Sequence, residues 1–171
     1  MLRNVLLISS LLCSFLSSAT YAQEKPSYQH VSTLTQSVAE KYFKAYIALD
    51  WDTVERLLAE NGSFEDPTAQ LVFGQVKHDT KEATMNNFRN GYAGITHMQF
   101  NPSRTFFSGQ YAIFEGTLDW SLKLSKDQLA ETKAMPFVTI LKVDNNKVVE
   151  HKDFADYAPF FAAINRSTPK Q

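Results

Sequence analysis

The chain has 171 residues, 44% hydrophobic and 20% charged, with 17 basic residues against 18 acidic ones. That composition excludes collagen-like, low-complexity and disordered chains, and it leaves no basic excess to bind nucleic acid through counterion release. The length fits one domain, or two very small ones.

The first 22 residues read as a signal peptide. Arg3 gives a positive start, Val5 to Leu16 an apolar stretch too short to span a bilayer, and Thr20-Tyr21-Ala22 a small-x-small cleavage site before Gln23. Cleavage would leave no stable membrane insertion and an exported product, periplasmic or secreted. It would also remove Cys13, the only cysteine, so neither disulfides nor a thiolate nucleophile is available afterwards.

Residues 23–30 are polar, contain Pro26 and read as a flexible leader to a domain over 31–165, with a short tail at 166–171. Val31, Leu34, Val38, Tyr42, Ala45, Tyr46 and Leu49 recur at helical spacing and form one apolar stripe. Asp52 and Glu55 make a capping box for a second helix that ends at Asn61-Gly62. Ser63 to Asp66 is a short strand halted by Pro67, with Leu71 to Phe73 placed to pair beside it. Asp79 and Glu82 cap a third helix running through Phe88 and Tyr92.

The second half reads as strands: Thr96 to Phe107, Tyr111 to Leu124, Pro136 to Val143 and Lys147 to Phe154, the last two joined at Asp144-Asn145-Asn146. From Ala112 to Leu124 the even positions are apolar or small and the odd ones mostly polar, which requires a strand with one buried side. Tyr157 to Ile164 forms a short closing helix. Helices followed by a meander predict an α+β fold: a curved antiparallel or mixed sheet, with about three N-terminal helices covering a central conical cavity.

Two stretches carry a resemblance. Glu40-Lys-Tyr-Phe-Lys-Ala-Tyr46, then Asp50-Trp-Asp52 and Phe64-Glu-Asp-Pro67, resemble the start of a ketosteroid isomerase. Phe137 to Val143 with Asn146 to Phe154 is similar to the last hairpin of SnoaL-like polyketide cyclases. Both groups share the cone-shaped nuclear-transport-factor-2-like fold, which hosts isomerases, cyclases, hydrolases and non-catalytic binders.

The resemblance implies roles. Asp66 matches the proton-carrying base, and Tyr42 the tyrosine that donates to the oxygen gaining charge; in an isolated reading Asp66 fixes the turn before Pro67 and Tyr42 packs in the core. Val138 falls where the isomerases carry a protonated aspartic acid, which argues against an efficient ketosteroid isomerase. Asp153 matches the last-strand acid of the cyclases. His151, two residues away on the same strand face together with Val149, could shuttle protons beside it.

Phe88, Tyr92, Phe114, Leu118, Trp120, Val138 and Ile140 are the expected lining for a small hydrophobic ligand. No metal-ligand spacing, nucleophile elbow or phosphate loop occurs, so no metal or cofactor is expected. Asn61-Gly-Ser63 and Asn165-Arg-Ser167 fit glycosylation sequons, relevant only in a eukaryotic secretory pathway. Three functions remain open: a proton-transferring isomerase, cyclase or lyase acting on an apolar carbonyl compound, a carrier that leaves its ligand intact, and a homodimer formed through the sheet at Tyr111 and Ile113.

Overall fold

A computed structural model describes residues 26–167; the expected signal peptide, residues 23–25 and residues 168–171 lie outside the described residues. Helix α1 spans Tyr28–Ile47, beginning within the expected leader because the Ser27 hydroxyl accepts from the His30 amide. Its buried face is Thr35, Val38, Ala39, Tyr42, Phe43, Ala45 and Tyr46, while Leu34, placed in the apolar stripe, is 41% exposed. The rotation follows Phe43, whose ring stacks on Phe114 of the sheet at 4.2 Å.

The C-terminus of α1 closes with the Asp50 amide donating to Ala45 O and the Leu49 amide to Tyr46 O, while Leu49 has φ 58°. This is the left-handed closure that glycine fills without strain. Leu49→Gly is therefore expected to stabilise the protein by about 1 kcal/mol, raising the melting temperature by roughly 2–4 °C in a thermal unfolding scan.

Helix α2 is Trp51–Leu57, capped by Asp50 rather than by Asp52. Asp52 and Glu55 both bind Arg89 instead, at 2.8 and 2.7 Å. Strand β1 runs Leu58–Asp66, and the Asp66 carboxylate caps the 3-10 turn Pro67–Ala69 that leads into α3, Gln70–Phe73. The strand expected at Leu71 to Phe73 is thus one helical turn, because Asp66 and Pro67 start a helix rather than an extended return. It stops at Gly74 (φ 78°, ψ −165°), a conformation open essentially to glycine alone. Strand β2 (Val76–His78) then pairs antiparallel with β1.

Helix α4 is Lys81–Asn86, capped by Thr80 and not by Asp79, and it widens into a π turn over Asn87–Gly91. Long strands follow: β3 (Ile95–Ser108), β4 (Tyr111–Ser125), β5 (Gln128–Asp144) and β6 (Lys147–Ala155). Asn145 and Asn146 both have positive φ, as a two-residue hairpin requires. Strand β5 begins eight residues before the expected Pro136. Helix α5 (Ala158–Ser167) is the expected closing helix, and among the described residues four helices rather than about three precede the long strands.

The sheet order is β2-β1-β6-β5-β4-β3, with β1 parallel to β6 and the other neighbours antiparallel. Irregular pairing near Pro102/Arg104, Leu118/Trp120 and Lys142/Val143 bends the strands. The expected α+β fold with a curved mixed sheet is what forms. Its concave face receives α1 through Phe43 and α5 through Phe160, which stacks on Trp120 at 4.7 Å. Among the described residues, no helix is long and apolar enough to cross a membrane.

Candidate functional site

The concave side of the sheet holds a cavity of about 340 Å³. Phe64, Met98, Leu118, Leu122, Met135 and Phe137 supply apolar wall, and polar groups come from Tyr46, Asp66, Gln75, His78, Asn87, Tyr92 and Tyr157. Among the described residues, neither lysine nor arginine lines it.

Asp66 ends β1, where the chain must turn into the 3-10 helix, and it is 5% exposed. Its Oδ1 accepts from the Thr68 amide at 2.9 Å, the Thr68 hydroxyl at 2.5 Å and the Ala69 amide at 3.0 Å. Among the described residues, Oδ2 accepts only from the Tyr157 hydroxyl, at 2.6 Å. Oδ1 is saturated, whereas Oδ2 keeps a lone pair. Burial raises the Asp66 pKa above the ordinary carboxylate value, outweighing the lowering by Thr68 and Tyr157. A carboxylate oxygen with spare accepting capacity in an apolar wall suits proton abstraction from carbon.

A second polar cluster lies deeper. His151 and Asp153 project inward from β6, at 0% and 2% exposure. Asp153 accepts from the Thr139 hydroxyl at 2.6 Å and the Tyr46 hydroxyl at 2.7 Å, and lies 2.9 Å from His151 Nε2. With Asp153 as acceptor, Nε2 carries the proton, and Nδ1 accepts from the Tyr42 hydroxyl 3.1 Å away. The Tyr92 hydroxyl is 2.9 Å from that of Tyr46. The single Tyr46 proton goes to Asp153, so Tyr92 donates to Tyr46 and shows the cavity a lone pair. Burial first, and the Asp153 charge next, push the Tyr42, Tyr46 and Tyr92 phenols upward, keeping all three protonated.

Among the expected lining residues, Tyr92, Leu118 and Trp120 face the cavity. Phe88 and Phe114 do not line it: Phe88 packs at 5.3 Å against Trp51, and Phe114 lies under Phe43. Val138 and Ile140 sit on the opposite side of the β5 pleat from Met135 and Phe137, because strand residues alternate. Val138 therefore leaves no gap in the cavity wall, and the β5 residue that reaches the inner acid is Thr139.

Tyr42, expected to touch substrate oxygen, spends its hydroxyl on His151 instead and does not line the cavity. Val149 does not share the inward face of His151. The slip at Lys142/Val143 buries Val148 and turns Val149 onto a groove on the outer face, beside Lys142 and Lys152. The structure thus brings Asp66 and Tyr92 to one cavity, with Asp153, His151 and Tyr42 as its buried backing.

Sequence reasoning did not find four participants: Tyr46, Thr139, Tyr157 and Asn87. Tyr46 stood in the α1 stripe as a core residue, one turn beyond Tyr42. Asn87 is brought to the wall by the π turn, a local widening that often marks functional sites. Its side-chain Nδ2 is buried with no hydrogen-bond partner among the described residues. Among the described residues, no group of three or more His, Cys, Asp or Glu could hold a metal ion.

A bent sheet closed by helices over an apolar hollow, with an acid at the end of its first strand, defines a cone-shaped α+β protein of the nuclear-transport-factor-2-like class. Residues 39–151 match the SnoaL-like domain family, and the chain belongs to that family.

A protein from Shewanella denitrificans proposed to be a SnoaL-like polyketide cyclase superposes with a TM-score of 0.66 at 22% identity, covering 79% of this chain and 98% of that one. An LEH-like epoxide hydrolase from M. tuberculosis gives 0.60 at 16% identity, covering 79% and 92%. A proposed ketosteroid isomerase from Kribbella flavida gives 0.54 at 21% identity, covering 74% and 80%. At these identities the likeness speaks to the fold alone. No curated protein matches the chain.

Proposed function

We propose that this chain is an exported acid–base catalyst that moves a proton on a small apolar carbonyl compound without a cofactor. The observation that carries this reading is Asp66 Oδ2, a singly bonded carboxylate oxygen in the wall of an apolar cavity. In the proposed step Oδ2 takes a proton from the carbon beside the carbonyl. The C–H electron pair shifts to make the enolate, and the proton returns to the same carbon or to a conjugated one. Asn87 Nδ2 is the donor for the developing oxyanion, because Tyr92 has already committed its proton to Tyr46. Export rests on the charged, apolar and small-residue segments of the first 22 residues.

The test is hydrogen exchange into 1-decalone in D₂O, followed by NMR. The protein is expected to accelerate exchange beside the carbonyl above the buffer rate. Asn87→Leu should slow it by about 100-fold, the loss typical of one oxyanion donor, with ketone affinity little changed. Exchange at the buffer rate with bound ketone would leave a binding protein and end the catalytic reading.

A further inference from the structure

Trp120 enters the cavity wall from β4. Its ring is held between Phe160, stacked at 4.7 Å, and Phe73, edge-on at 6.5 Å, so the plane of the indole is fixed. The side chain is 6% exposed, yet Nε1 has no hydrogen-bond partner among the described residues. An indole nitrogen can only donate, and a buried donor without an acceptor is a cost that folding normally avoids. Asn87 presents the same unmet capacity from the π turn, which is a different element. Two N–H donors without partners thus stand in the cavity wall on two elements, among apolar side chains and the polar groups of Tyr46, Asp66, Gln75, His78, Tyr92 and Tyr157.

The electrostatics narrow the partner further. Asp66 lines the cavity, Asp153 stands directly behind Tyr46, and among the described residues no lysine or arginine faces the space. An anion would meet carboxylates with no lysine or arginine among the described residues to offset them. Acceptor oxygens on a neutral molecule fit both the donors and the acids. The volume lies near the lower end of the 300–1,000 Å³ range of small-molecule sites, so the molecule is compact.

We infer that the ligand is a compact neutral compound with two separated acceptor oxygens, such as a dione, hydroxyketone or lactone-ketone. One oxygen is the carbonyl beside Asp66 and Asn87, and the other is received by Trp120 Nε1, which makes Trp120 a specificity-determining residue. This rests on reading Asp66 and Asn87 as the proton-transfer site.

The experiment compares 1-decalone, decalin-1,5-dione and 1-aminodecalin against the full chain, by titration and by the indole N–H signals of a ¹⁵N-labelled sample. The Trp120 signal is the one lost in Trp120→Phe; should that variant fail to fold, it is the one kept in Trp51→Phe. The dione should bind about three- to tenfold tighter than the monoketone, the gain of one hydrogen bond. It should move the Trp120 N–H signal downfield, whereas the monoketone should not. Trp120→Phe should bring the dione-to-monoketone ratio to about one, and because both ketones share the altered cavity, a general loosening cancels from that ratio.

Equal binding of the two ketones with an unmoved Trp120 signal would overturn this inference and leave the proton-transfer reading standing. Tighter binding of the amine than of either ketone would overturn it in favour of a cationic ligand. Failure of both ketones to bind would remove the proton-transfer reading and this inference with it.

Discussion

Replacing Asp66 by Asn is expected to lower exchange or turnover of a ketone by about 100- to 10,000-fold, the share a positioned general base contributes. The substitution is close to isosteric, and the amide oxygen can still accept from the Thr68 amide, the Thr68 hydroxyl and the Ala69 amide, all now gathered on Oδ1. The amide nitrogen faces Tyr157, whose oxygen can accept in turn. Turn and wall are preserved, so ketone affinity should stay within a few-fold while the rate collapses. An unchanged rate in a folded variant would remove Asp66 from the chemistry.

The pH dependence follows from the same burial. Proton abstraction needs the carboxylate, so the wild-type rate should rise with pH through a midpoint above the usual Asp value of about 3.9. Stability carries the opposite sign. Because the folded pKa is raised, the native state holds this proton more tightly than the unfolded chain. The Asp66 contribution to stability therefore falls as pH climbs from the unfolded value through the folded one, and the resulting cost persists above it. Asp66→Asn should flatten that part of a stability-against-pH curve, measurable by denaturant unfolding at several pH values.

Asp153→Ala is expected to destabilise the protein by about 3–5 kcal/mol, as removing one partner from a buried polar network does. Three donors lose their acceptor together: the Tyr46 and Thr139 hydroxyls and the His151 ring nitrogen. The His151 ring cannot turn to water, because it is enclosed by the rings of Tyr42, Tyr46, Phe64 and Phe88 at 4.7–5.9 Å. A melting temperature lower by roughly 10 °C or more is the expected reading in a chain of this length. Asp153→Asn keeps an accepting oxygen and should lose less. A melting temperature unmoved by Asp153→Ala would mean that the inner cluster contributes no net stability.

Much of the architecture was written in local patterns. The alternation from Ala112 to Trp120 does put Ala112, Phe114, Leu118 and Trp120 inside, and Asp144-Asn145-Asn146 makes the turn its composition demands. The first half of β5 was hidden because its inward residues are Ala130 and Thr132, while Leu129 is exposed. Beneath α5 the small side chains are inside, so the strand shows no apolar rhythm.

The site was legible only in part. Glu65-Asp66-Pro67 and the Asp153 stretch marked two acids, but which tyrosine serves the inner one depends on the rotation of α1. Phe43 sets that rotation through a contact with a strand some seventy residues away. Val149 was misplaced because one slipped register in β6 reverses a pleat, and nothing in Lys147-Val-Val-Glu150 announces the slip.

The row of hydroxyls from Tyr92 through Tyr46 to Asp153 has a consequence for the cavity it borders. Every proton in the row now leans toward the acid, so the outermost oxygen can only receive. The sealed carboxyl at the inner end thus decides, two side chains away, that this surface of the hollow takes a hydrogen bond rather than offers one.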